Sequence, residues 1–295
     1  MADVGRAPRV HVTRPAAVSS YAEPVETSGR TTLRLASVNT ASGLDRGTWS
    51  IAVERLGDAV AGLDADVVAL QEVDYLLERT GTVDQATVIA NACSLRTGTS
   101  WEHRFAAAVH GAPGDPRTFR SAVATQPDEP SYGIALLSRW EVTAWHELRL
   151  PPGRARLPVP LPPGSARRLL WVPDEQRVGL AAVITTPVGP LTVVCTHLSF
   201  SPLQAVRQLR RLAAWCGELP RPVVLLGDLN LPGTLPARVT GWPQLVRGAT
   251  YPSSHPRVQL DHALALGGVR VVAGRTVRVG GTDHRAPVVD LALDR

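Results

Sequence analysis

The sequence predicts a mixed α/β domain, on three observations. Val67–Leu70 and Val223–Leu226, Val-Val-Ala-Leu and Val-Val-Leu-Leu, are four-residue apolar runs of the kind that form short strands buried on both faces. Between such runs lie stretches with apolar residues at helical spacing, as at Ala52, Val53, Leu56, Ala59, Val60 and Leu63. No linker composition and no short-period repeat interrupts residues 31–295, so a single domain is expected there.

Residues 1–30 are rich in Pro, Ala, Val, Ser and Arg without periodicity and read as a disordered tail, with neither the charged start nor the apolar run of a secretion signal. Thr31–Asn39 alternates apolar and polar residues, the pattern of a half-buried strand. A helix is expected over Thr48–Leu63 with Thr48 as N-cap, then the Val67 strand with Gln71 and Glu72 at its end. Val83–Cys93 reads as an amphipathic helix, and Trp101–Val109, Tyr132–Ser138 and Glu141–Leu150 as strands. Gly111–Pro130 and Pro151–Gly164 read as long loops, the second an irregular basic excursion with six prolines, Arg154 and Arg156. Loops of this length are functional lids or disordered. Val178–Thr185 and Pro190–Thr196 form a hairpin that ends in His197. Ser201 as N-cap and Pro202 at the first helical position open a helix to about Cys216.

After the Val223 strand, Gly227 is expected to let the backbone turn. Asp228 and Asn230 then face one spot if extended geometry persists. A carboxylate beside an amide suits orienting a water near a metal or phosphate; equally, Gly, Asp, Asn and Pro are all turn residues. Gln259–Leu266, Val269–Val279 and Pro287–Leu293 complete the strands.

Composition narrows the chemistry. The chain has net charge +5 and contains no lysine, so Schiff-base lysines and a P-loop lysine are excluded and any side-chain cation at a phosphate is Arg or His. The positive charge is compatible with an anionic partner. No stretch approaches the roughly 18 apolar residues of a membrane span. Cys93, Cys195 and Cys216 lack metal-ligand spacing and read as reduced, buried thiols. A cytoplasmic, monomeric protein is expected.

Polar residues recur where expected strands end: Asn39, Glu72, His197, Asp228 with Asn230, and Asp283-His284, with Asp261-His262 inside a strand. Singly, each is more often a turn residue, a solvated carboxylate or a satisfied histidine. Together they suggest convergence, because ligands commonly bind beyond strand ends in helix-covered sheets.

These residues sit in motifs: Leu35-Ala36-Ser37-Val38-Asn39, Leu70-Gln71-Glu72-Val73, Tyr132-Gly133-Ile134-Ala135-Leu136-Leu137-Ser138, Thr196-His197-Leu198, Gly227-Asp228-Leu229-Asn230, Leu260-Asp261-His262 and Thr282-Asp283-His284-Arg285-Ala286-Pro287. In this order they resemble the endonuclease/exonuclease/phosphatase superfamily, which includes deoxyribonuclease I and the neutral sphingomyelinases. The resemblance implies a four-layer α/β/β/α sandwich that hydrolyses a phosphate ester with a divalent metal. By position, Glu72 would hold the metal with Asn39 and Asp283 close to it. Asp228 would orient or deprotonate the attacking water, and Asn230 would position water and phosphate. His197 would donate to a phosphate oxygen or the leaving group. His284, held by Asp261, would act as general base or stabilise the charged transition state. Hard oxygen ligands favour Mg²⁺ or Mn²⁺.

The inositol-phosphatase signature of Trp before Gly-Asp-x-Asn and the Gly-Trp-Arg-x-Asp-Tyr element of abasic-site endonucleases are both missing. His197 and the Asp-His endings resemble the deoxyribonuclease/sphingomyelinase branch, which makes a phosphodiesterase or nuclease the leading expectation. A phosphomonoesterase acting on inositol phosphates or phospholipid head groups is the alternative, and a non-catalytic binding protein on the same fold comes third. Arg154 and Arg156, with Arg149, Arg167 and Arg168, are candidate contacts to a nucleic-acid backbone, or simply a solvated basic loop. No aromatic stacking platform stands out.

Overall fold

A computed structural model describes residues 32–113, 119–123, 129–154, 156–160 and 168–294. The expected tail over 1–30 and much of the two long loops lie outside these residues.

One sheet has seven strands in the order β15 (Val269–Arg278), β16 (Arg285–Leu293), β1 (Leu33–Asn39), β4 (Val67–Tyr75), β7 (Ser131–Ser138), β5 (Glu102–His110) and β6 (Arg120–Ser121). The other has five, β14 (Asp261–Leu266), β13 (Val223–Asp228), β12 (Gly189–His197), β11 (Arg177–Thr186) and β8 (Val142–Leu150). Two ribbons stand apart, β2 (Leu44–Asp45) with β3 (Ser50–Ile51) and β9 (Arg156–Pro160) with β10 (Leu169–Pro173). Both large sheets are mixed, since β1 runs parallel to β4 and β12 to β13 while their other neighbours are antiparallel.

The alternation of strand side chains sorts the apolar residues into three large cores, beside a small one of Leu77, Val109 and Tyr132. Leu35, Val67, Ala69, Val224 and Leu226 pack together between the sheets. The opposite faces of the same strands, Ala36, Val38, Val68 and Leu70, pack on Leu56 and Val60 of α1 (Val53–Ala61) and Ile89 and Cys93 of α2 (Gln85–Thr97). Val223 and Leu225 pack on Leu209, Leu212 and Cys216 of α3 (Pro202–Cys216). The result is the four-layer α/β/β/α sandwich. The three cysteines are free and buried, as expected.

Several elements differ from expectation. Residues 33–39 are covered on both faces by the sandwich rather than half-buried. The first helix begins at Val53, five residues after Thr48, because residues 44–51 form the β2–β3 hairpin. Within the expected loop Pro151–Gly164, Arg156–Pro160 pairs with Leu169–Pro173. The strand ending in Gln71-Glu72 instead runs on to Tyr75 through a bulge at Glu72. A short helix, α4 (Leu235–Thr240), carries Pro236 in its first turn and had no expectation. Gly227 does not turn the chain. It lies inside β13, where a Cβ would sit 2.0 Å from the Thr196 carbonyl oxygen of the neighbouring strand, so glycine is required by close approach.

Candidate active site

Sheet register brings the polar residues together. His197, Asp228 and Asp261 lie side by side at the ends of three adjacent strands, His197 opposite Asp228 and Asp228 opposite Asp261. In the facing sheet Asn39 lies opposite Gln71, next to Glu72. Glu72, His197, Asp228, Asn230, Asp283 and His284 line one open cleft of about 470 Å³.

Glu72 reaches this cleft by an irregular backbone. Its φ of 55° is left-handed, which a non-glycine residue adopts only under constraint. The constraint is the bulge, pinned by the Thr40 hydroxyl, which donates to the carbonyls of Gln71 at 3.0 Å and Glu72 at 2.6 Å. The Asn39 amide then bridges the two sheets, donating to Glu72 Oε1 at 3.0 Å and to Asp228 Oδ2 at 3.1 Å. Burial raises the Glu72 carboxyl above its ordinary range; the Asn39 bond opposes that rise and the nearby Asp283 carboxylate adds to it. Asp283 accepts from Arg46 Nη2 at 2.8 Å.

Asp228 and Asn230 do not share a face by strand alternation. Asn230 has φ 51°, and its backbone N–H folds back to donate to Asp228 Oδ1 at 3.0 Å. Its side-chain amide donates to the Leu198 carbonyl at 3.0 Å, which ties the β13 exit to the β12 exit. Asp228 Oδ2 lies 3.7 Å from His197 Nε2 and 3.8 Å from His284 Nδ1. Burial, reinforced by Asp261, pushes Asp228 up to about 7. His284 Nδ1 is 2.8 Å from Asp261 Oδ2. Burial works against its charge, but Asp261, Asp228 and Glu72 outweigh it and pull His284 up to about 10. His197 goes the other way: burial, Arg177 and His284 hold it well below the usual imidazole range. One imidazole is therefore a cation at neutral pH and the other neutral.

Thus eight of the ten expected site residues converge. Asn39 and Asp261 join by hydrogen bond and the other six line the cleft. Arg154 is exposed and is not among the residues lining the cleft, and Arg156 lies in β9. The cleft also exposes residues not singled out from the sequence: Tyr132, Glu175, Arg177, Phe200 and Tyr251. Arg177 is buried, with its Nε unpartnered among the described residues. The expected 178–185/190–196 hairpin held the signal for it. An antiparallel partner puts the start of β11 beside the end of β12, and so Arg177 near His197. Tyr251 packs against His284, ring centroids 4.9 Å apart.

The donors fit a hard divalent cation. Glu72 and Asp283 are carboxylates whose mutual repulsion a cation would relieve; Asn39 turns its Nδ2 to Glu72 while its Oδ1 accepts from the Ala41 N–H at 3.0 Å, so it orients the carboxylate. A second grouping exists, since Asp228, Asp261 and His284 each bring one ligand atom within 4.8 Å of the others. There, however, the imidazolium already compensates the carboxylates. His197 Nδ1 and Asp261 Oδ1 are buried with no hydrogen-bond partner among the described residues.

The family model for the endonuclease/exonuclease/phosphatase family matches residues 36–284. No curated protein matches the chain. Among solved structures it is similar to an endonuclease/exonuclease/phosphatase from Beutenbergia cavernae, with 22% identity, 89% of this chain and 72% of that one covered, and a TM-score of 0.64. A mannosyl-6-phosphatase from Bacteroides thetaiotaomicron matches with 15% identity, 88% and 100% coverage and a TM-score of 0.57. TDP2 from D. rerio, complexed with a single-strand DNA product, matches with 16% identity, 88% and 98% coverage and a TM-score of 0.53. At these identities the likeness is one of fold.

Proposed function

From its membership of the endonuclease/exonuclease/phosphatase family, we propose that this chain is a divalent-metal-dependent phosphodiesterase, hydrolysing a phosphodiester by in-line attack of water. One observation carries the reading. Asp228, held near neutral pKa, sits between a neutral and a charged imidazole at the mouth of a cleft whose other wall carries Glu72 and Asp283.

Glu72 and Asp283, with Asn39 beside them, would hold Mg²⁺ or Mn²⁺, which when bound neutralises charge on the phosphate oxygens. Asp228 accepts the proton of the attacking water, and its oxygens are oriented for this by Asn39 and by the Asn230 backbone. His284, fixed by Asp261 and protonated, stabilises the charge that develops on the phosphate rather than acting as base. Neutral His197, its Nδ1 unpaired, donates to a phosphate oxygen or the leaving group. Buried Arg177 supplies a fixed positive charge in the cleft wall. The reduced thiols fit a reducing compartment such as the cytoplasm.

The test is hydrolysis of a chromogenic phosphodiester and of the matching monoester, with Mg²⁺ or Mn²⁺ and then with chelator. Diester cleavage that needs the metal is expected, and Asp228→Asn should lower it by roughly 10²–10⁴-fold. Preference for the monoester would favour the phosphomonoesterase reading. Wild-type turnover in folded Asp228→Asn protein would remove Asp228 from the mechanism.

A further inference from the structure

Next to the cleft, the β2–β3 hairpin carries an aromatic ring for which the proposed reaction has no use. Trp49 is 66% exposed, although a large indole in water is normally a liability. Its backbone is left-handed, with φ 55°, rare for so bulky a residue. The turn is nevertheless tightly made. The Trp49 N–H donates to the Asp45 carbonyl at 2.7 Å, and Asp45 Oδ1 accepts from Gly47 N at 2.8 Å and Thr48 N at 3.2 Å. These bonds fix the backbone of the turn that carries the ring.

One face of the indole is taken. The Arg46 guanidinium lies over it, 5.5 Å from the ring centroid, and is itself fixed by its bond to Asp283 in the cleft wall. The Arg46 backbone N–H also donates to the Gly281 carbonyl at 2.8 Å, tying the hairpin to the loop that leads into Asp283. Among the described residues no second ring or guanidinium lies against the indole, which leaves most of it in solvent. A platform of one aromatic face backed by a guanidinium attracts a flat, neutral ring and repels a cation such as a choline headgroup. By the same hairpin lies a recess of about 300 Å³, lined by Gly43, Arg55, Arg278, Gly280 and Gly281. Among the described residues Arg55 is held there by a 3.7 Å ion pair to Asp45, and its side chain is 63% exposed, so it can reach a second anion.

We propose that this hairpin seats a nucleoside next to the scissile phosphate, the base stacked on the face of Trp49 away from Arg46 and the next phosphate taken by Arg55 and Arg278. The proposal rests on the phosphodiesterase reading and narrows its substrate to a single-stranded nucleic acid or nucleotide end. A ring displayed beside two separate cationic positions matches the phosphate–base–phosphate repeat of a single strand.

The experiment is calorimetric binding of thymidine 5′-monophosphate, the dinucleotide pTpT and mannose 6-phosphate to the Asp228→Asn protein, alone and with Trp49→Ala, Trp49→Phe or Arg55→Ala added. Trp49→Ala should weaken both nucleotides by roughly 5- to 100-fold, and Trp49→Phe should restore most of the loss. Arg55→Ala should weaken pTpT but not the mononucleotide. Unchanged nucleotide affinity in Trp49→Ala, or mannose 6-phosphate binding as tightly as thymidine 5′-monophosphate with the same dependence on Trp49, would overturn the proposal. Turnover by the wild-type protein separates the two readings. If methyl p-nitrophenyl phosphate is cleaved as well as the p-nitrophenyl ester of thymidine 5′-monophosphate, the nucleoside subsite is wrong and the phosphodiesterase reading stands. If neither is cleaved while nucleotides still bind through Trp49, the platform stands and the phosphodiesterase reading is lost.

Discussion

Each wall of the cleft presents a pair of carboxylates, and the two pairs are balanced differently. Asp228 and Asp261, from the five-stranded sheet, share the His284 imidazolium, 3.8 and 2.8 Å away. Glu72 and Asp283, from the seven-stranded side, have no imidazole of their own. Glu72 has the uncharged Asn39 amide, and Asp283 has the half-exposed Arg46. Burial and the neighbouring Asp283 carboxylate raise Glu72, and His284 and Arg177 offset this only in part. On the proposed reading the first pair takes its counter-charge from His284, and the second takes the rest of it from a bound metal.

The largest effect expected from this contrast is on the metal side. Glu72→Ala should lower the metal-supported rate by roughly 10³-fold, the scale of several kcal/mol of charge stabilisation. If Mg²⁺ or Mn²⁺ binds only the folded state, it should raise the wild-type Tm, and Glu72→Ala should abolish that rise. A variant that still gains the full Tm shift would move the metal to the Asp228–Asp261–His284 grouping and invert the contrast.

The histidine side should answer to pH. On the proposed mechanism Asp228 acts deprotonated and His284 protonated, so kcat/KM should rise with pH through about 7 and fall through about 10. Asp261→Asn removes the main support of the His284 charge. The alkaline limb should then move down toward the ordinary imidazole range, with a loss of roughly 10- to 100-fold at pH 9. An alkaline limb that stays in place would show that another group sets it.

The smallest effect is expected at Thr40. Thr40→Val keeps the shape but strips both hydroxyl bonds that pin the Glu72 bulge, at a cost of about 1–3 kcal/mol for the Glu72 carbonyl, while the Gln71 carbonyl keeps the Thr40 N–H at 2.9 Å. If the bulge aims Glu72, the metal concentration for half-maximal rate should rise by tenfold or less while the pH profile stays fixed.

The strands were legible as apolar runs bounded by polar residues, whereas the sandwich and the candidate roles of the eight converging residues came from the family resemblance of their motifs. What escaped was set by tertiary structure. Glu72 looks like a strand end, yet its aim comes from a bulge that Thr40, just past the end of β1, pins from outside the strand. Asp228 and Asn230 meet through a left-handed turn rather than by alternation. Trp49 vanished into an expected helix, because Ala52, Val53, Leu56 and Leu63 have helical spacing and residues 48–51 lay just ahead of them. Arg177 and Tyr132 sit at the starts of strands, where antiparallel pairing carries them to the cleft.

The row formed by His197, Asp228 and Asp261 is fixed by the same ladder of backbone hydrogen bonds that holds three strands together, with Gly227 pinching two of them. The proposed reacting groups thus belong to the frame, whereas Arg46 and Trp49 belong to a short hairpin outside both large sheets. If both proposals hold, such a division would let the parts that choose a substrate change while the parts that break its bond stay in place. The sandwich works as a chassis with interchangeable fittings.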